Sequence, residues 1–254
     1  MKSKQLIFIH IPKAAGQTIN SIVARQYPRR QILHMEGRLG KTQVPSVEDA
    51  SQAKIFLGHL HYGFHEHLQG ASTYVTVVRE PVSRVLSLYR YIATNPQHHL
   101  HEQVMQGHLT DFVSGQIDAE EVENGQTRQI AGVTEGTPDA SSLARAKQNL
   151  QVDFAVVGVV ERFDESIILF KRRLGWRVPF YVRKNVTPKL LAEEAPDEAL
   201  EIIRRRNTLD AELYRFTCNL LDDQLRDEGP LFDVEVLLFQ ALNAAARVWR
   251  GVRG

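Results

Sequence analysis

The stretch IFIHIPKAAGQTINSI, residues 7 to 22, decides how the rest of the chain is read. A β-branched apolar run over residues 6–11 reads as a buried strand. A turn carrying Pro12, Lys13 and Gly16 follows, and a helical pattern takes over at residues 18–25. Backbone N–H groups at a helix start lack internal partners and carry the positive end of the helix dipole. A glycine there lets the backbone close around an anion. Lys13 adds a full positive charge and Thr18 a hydroxyl donor. The lysine precedes the glycine, so this is no Walker loop, and the chain has no G-x-G-x-x-G run. The plainer alternative is a strand–turn–helix connection whose lysine is merely solvated.

The same design recurs in YVTVVREPVSRVLSLYRYI, residues 74 to 92. A strand ends at Arg79, and Pro81 suits the first helical position, where its missing N–H costs nothing. Val82, Val85, Leu86 and Tyr89 form the expected buried stripe, and Ser83 and Ser87 share another face. Arg79 and Ser87 are then placed to grip one phosphate, because guanidinium offers forked donors. The alternative is that Arg79 pairs with a carboxylate such as Glu80.

Four strands are expected, at residues 6–11, 54–57, 74–78 and 154–160. Helices are expected at 18–25, 82–93, 141–150, 164–174 and 196–220. That alternation specifies an α/β fold, a mainly parallel sheet flanked by helices, in one domain over residues 1–254. Ligands of such sheets sit at the carboxyl ends of the strands. Residues 94–137 are polar, glycine-containing and weakly periodic, so they read as loops. An amphipathic helix over 233–250, with Val234, Leu238, Ala241, Leu242, Ala245 and Trp249 at helical spacing, is expected to pack on the domain; a homodimer contact or a membrane surface is the alternative use.

A net charge of +1 argues against a general nucleic-acid binder. The single cysteine, Cys218, leaves no internal disulfide and fits a reducing compartment. No signal peptide or membrane span is visible, so a soluble, cytoplasmic protein is expected.

In these two blocks the sequence resembles the sulfotransferases that use 3′-phosphoadenosine 5′-phosphosulfate (PAPS). HIPKAAGQT is similar to that family's HIPKTGGTS loop, and VVREPVSRVLSLY to its RDPVERxxSxY block. Within the family it resembles the carbohydrate branch that contains heparan sulfate 2-O-sulfotransferase and bacterial relatives. FLGHLHYGFHEHL, residues 56 to 68, and FAVVGVVERFDESIILFKRRLGW, residues 154 to 176, are similar to further blocks of that branch.

The resemblance implies a P-loop-like sulfotransferase fold and PAPS as sulfuryl donor, without a metal. It implies that Lys13, Ala14, Ala15, Gly16, Gln17 and Thr18 bind the 5′-phosphosulfate, with Lys13 neutralising charge on the bridging oxygen. It implies that Arg79 and Ser87 bind the 3′-phosphate, with Arg183 and Lys184 as further contacts. His59 maps onto the family's base, with His61 as second choice, because a histidine titrates near neutrality. Asn124, Gln126, Thr127 and Arg128 are similar to a family stretch near the acceptor side, with Asn124 and Arg128 as the candidate contacts. Ala14 and Gln17 stand where family members usually carry threonine or serine, which removes side-chain donors. The acceptor implied is a hydroxyl, on a glycan or a small molecule. Two other readings stand beside this one: an ATP-dependent phosphoryl-transfer enzyme, and a non-catalytic nucleotide-binding member of the same fold.

Overall fold

The computed structural model describes residues 4–35, 44–117, 119–181 and 195–251, with side chains described as far as residue 245. Arg183 and Lys184 lie outside the described residues. Strands β1 (Gln5–Ile9), β2 (Ile32–Met35), β3 (Ile55–Gly58), β4 (Ser72–Val78) and β5 (Phe154–Val159) form one parallel sheet. Their order is β2-β3-β1-β4-β5. The inner strands are continuous apolar runs because both faces are covered. Ile7, Phe8, Ile9, Phe56, Val75 and Val77 are all but inaccessible.

The sequence expectation missed β2. It has only four residues, carries the exposed His34, and pairs on one side only, with β3. An edge strand needs no unbroken apolar run, so periodicity gives it no signature.

Helices α1 (Gly16–Gln26), α2 (Val47–Gln52), α3 (Pro81–Ala93), α7 (Ala140–Val152) and α8 (Phe163–Leu174) lie between and after the strands. The buried stripe of α3 is Val85, Leu86, Leu88 and Ile92, whereas Val82 and Tyr89 are only half-buried. The stretch expected to be loops contains α4 (His101–Gln106), α5 (Leu109–Ser114) and α6 (Gly125–Ala131). Each is too short to show a helical period.

The single helix expected over 196–220 is two, α9 (Asp197–Arg206) and α10 (Thr208–Asp227), broken at Asn207. Asn124 enters that break. Its Oδ1 accepts from the N–H groups of Leu209 and Asp210, and its own N–H donates to Asn207 Oδ1. A side chain distant in sequence thus caps α10, as a local Ser or Asp would.

Helix α11 (Leu231–Gly251) docks on α8, but through the face opposite to the one expected. Phe232, Val236 and Phe239 are buried, and Glu235 binds Lys171 and Arg172 of α8 at 2.6 and 2.7 Å. Val234, Leu238 and Leu242 point outward, at least half exposed. The helix carries two apolar stripes, and the one with Phe232 and Phe239 faces the body.

Candidate active site

Register dictates where the functional groups meet. β1 lies between β3 and β4, with Ile9 beside Gly58 on one side and Thr76 on the other. The loops after these three adjacent strands therefore emerge side by side at the sheet's carboxyl edge. The His10 N–H donates to Gly58 O at 2.8 Å, which brings His59 next to His10. One cleft of about 400 Å³ opens there, and its lining includes Lys13, Gly16, His59, Arg79 and Ser87.

The first loop is wound tightly. Lys13 (φ 67°) and Ala15 (φ 62°) both adopt the left-handed conformation. That conformation costs a non-glycine residue about 1–2 kcal/mol. Ala15 is the N-cap of α1, and its carbonyl accepts from the N–H groups of Thr18 and Ile19. Gly16 is required by space rather than by φ. A Cβ there would lie 1.6 Å from His10 Nε2, so the imidazole sits directly on the glycine. Ala15, Gly16, Gln17 and Thr18 line the cleft, whereas the Ala14 side chain is buried, 1% exposed.

The cleft is cationic. Arg79 Nη1 donates to Lys13 O at 3.0 Å, tying the second anion block to the first. Arg79 Nε is buried with no partner among the described residues. Glu80, the counter-ion of the alternative reading, instead caps α3, accepting from Val82 and Ser83 N–H at 3.0 and 2.7 Å. Burial, and then the charge of Arg79, lower the Lys13 pKa. The Lys13 ammonium lies 4.0 Å above the Tyr91 ring. A ring face holds a cation without neutralising it, so the lysine stays available to an anion.

The histidines are stacked. The His10 and His59 rings are 4.5 Å apart at 21°, and His59 Nδ1 is 3.0 Å from the His10 carbonyl oxygen. A carbonyl only accepts, so Nδ1 carries a proton, and in the neutral ring the lone pair is on Nε2. His59 is exposed at the cleft. The His10 pKa is lowered to about 3 by burial first, then by His59 and Lys13, so its ring stays neutral.

Besides Ala14, three residues expected at the site are not brought to the cleft. His61 is 7% exposed and points into the fold, its pKa lowered to about 4 chiefly by burial and then by Arg128. Arg128 donates to Gly136 O at 2.7 Å and borders a separate hollow of about 180 Å³. Asn124 is committed to the break between α9 and α10. Conversely, sequence reasoning left His10, Tyr91, His98 and Glu121 out of the site, and all four line the cleft. His10 alone had a signal, its place at the end of the first strand; the others arrive by packing.

A parallel α/β sheet thus brings two strand-to-helix loops, one with Lys13 and one with Arg79, beside a histidine in one cleft. The sulfotransferase family model matches residues 1–217, and the chain belongs to the sulfotransferase family. Human galactose-3-O-sulfotransferase 3 is 31% identical over 239 residues, covering 84% of this chain and 55% of the human protein. The cattle (Bos taurus) protein of the same name is 30% identical over 156 residues, covering 56% of this chain and 36% of its own. The chain thus spans about half or less of the length of the curated relatives it matches. Mouse sulfotransferase SULT7A1, solved in complex with PAP, has a TM-score of 0.48 and 10% identity, covering 86% of this chain and 89% of its own.

Proposed function

We propose that the protein transfers a sulfuryl group from PAPS to a carbohydrate hydroxyl, with a galactose-bearing glycan as the first acceptor to test. The observation that carries this reading is the meeting of Lys13, Arg79 and His59 in one cleft, two cations beside a histidine with a fixed tautomer. The donor fits the residues present. Arg79 Nε is buried without a partner among the described residues, and the start of α1 faces the same space. An anion satisfies both. The donor contributes the sulfuryl group and departs as adenosine 3′,5′-bisphosphate.

In this reading the helix start and Lys13 hold the 5′-phosphosulfate, and Arg79 with Ser87 holds the 3′-phosphate. His59 Nε2 accepts the proton of the acceptor hydroxyl as that oxygen attacks sulfur in line. Lys13 offsets the charge developing on the oxygen whose bond to sulfur breaks. Holding donor and acceptor together in attack geometry supplies the rest of the acceleration. The galactose-3-O-sulfotransferase relatives support a sugar acceptor.

The test is transfer of labelled sulfate from PAPS to galactose-terminated oligosaccharides. Turnover is expected for the wild-type chain, with losses of about 100-fold or more in His59→Ala and Lys13→Ala. Transfer undiminished in His59→Ala overturns the base; no transfer to any glycan overturns the acceptor class.

A further inference from the structure

Helix α6 lies behind the cleft, yet it holds the backbone of the groups that line it. Two of its glutamines, Gln126 and Gln129, stand one turn apart and are 0% and 2% exposed. Buried amides this completely enclosed must spend their hydrogen bonds on the protein. Gln126 Oε1 accepts from the Arg79 N–H at 2.9 Å, and its Nε2 donates to Arg79 O at 2.9 Å. The side chain thus grips the Arg79 peptide as a neighbouring strand would, just where β4 has ended. Gln129 Nε2 donates to His10 O at 3.3 Å and to Leu60 O at 3.2 Å. The first of these is the carbonyl that also takes the His59 Nδ1 proton, and the second belongs to the residue after His59. The Gln129 carbonyl in turn accepts from the Tyr62 N–H at 2.9 Å.

We propose that Gln126 and Gln129 are a pair of positioning residues that fix the anion-binding arginine and the histidine base at a set separation, through one rigid turn of helix. This rests on the sulfotransferase reading of the cleft. The two glutamines divide the work. Gln126 holds the peptide from which the Arg79 guanidinium reaches the donor. Gln129 holds the carbonyl that sets the tautomer and plane of the His59 ring. Neither touches donor or acceptor.

The division predicts a crossed pattern that a merely structural role does not produce. Gln126→Met is expected to weaken binding of adenosine 3′,5′-bisphosphate by about ten-fold or more. Gln129→Met is expected to leave that affinity within about two-fold while lowering kcat by about ten-fold or more. Binding is read by calorimetry, turnover by labelled sulfate transfer, and folding by the thermal midpoint of each variant. Parallel loss of binding and turnover in both variants, or loss in neither, overturns the proposal. If Gln129→Met does not fold, Gln129→Leu removes the donor with a smaller apolar side chain, and the same loss of kcat is expected. His59→Ala separates the two ideas. Full turnover in that variant defeats the base assignment, and bisphosphate binding by Gln126→Met still decides the arginine half.

Discussion

Gly16 shows how much of the site depends on one missing methyl group. The His10 imidazole occupies the space a side chain would fill, and the loop just before the glycine is held left-handed at Lys13 and Ala15. Gly16→Ala therefore displaces His10 from under His59 and opens the loop. The expected result is a loss of about 1–3 kcal/mol of stability in urea titration, with bisphosphate affinity reduced by about ten-fold or more. Wild-type affinity in Gly16→Ala contradicts a loop this tightly packed. Residues of this kind were legible in the sequence because local chemistry marks them: a lysine and glycine at a helix start, an arginine at a strand end, a histidine after a strand. Tyr91 and Glu121 were not legible. They come from segments with no anion-binding pattern and reach the cleft only through the packing of α3 and the chain before α6.

At the scale of elements, α6 carries the largest difference between sequence and structure. Seven residues of mixed polarity look like loop, yet every one is buried. The helix forms because Asp210 of α10 caps it, accepting from the N–H groups of Gln126 and Thr127 at 3.2 and 2.8 Å. Asp210 also pairs with Arg84 of α3 at 3.4 Å, with both side chains 0% exposed. No window of sequence contains all three partners, so no periodicity argument finds the helix. Asp210→Ala leaves Arg84 buried without its counter-ion and uncaps α6. A loss of about 3–5 kcal/mol is expected in urea titration. A cost below about 1 kcal/mol contradicts the view that this pair anchors the helix behind the cleft. The long central strands, by contrast, were legible because burial on both faces demands unbroken apolar runs.

For the whole molecule, the parallel α/β class followed from the alternation of strands and helices, whereas the break at Asn207 and the orientation of α11 depended on contacts distant in sequence. The fold also imposes a pH dependence. His10 and His61 are neutral in the folded chain, with pKa values lowered to about 3 and about 4, whereas the unfolded chain titrates at 6.5. Below pH 6.5 the unfolded state binds protons that the folded state refuses, so stability falls as pH falls, by up to about 1.4 kcal/mol per pH unit for each site. Urea midpoints are expected to be level from pH 8 to 7 and to drop between 6 and 5. A level profile across that range contradicts the buried, neutral histidines. The central claim is that the cleft holds a nucleotide with separate 5′ and 3′ anionic groups, between Lys13 and Arg79. Calorimetric titration with adenosine 3′,5′-bisphosphate, beside ATP with Mg²⁺, tests it most directly. One bisphosphate is expected to bind per chain, tighter than ATP, and weakened about ten-fold or more in each of Lys13→Ala and Arg79→Ala. Equal affinity in wild type and both variants, or preference for ATP with Mg²⁺, would contradict it.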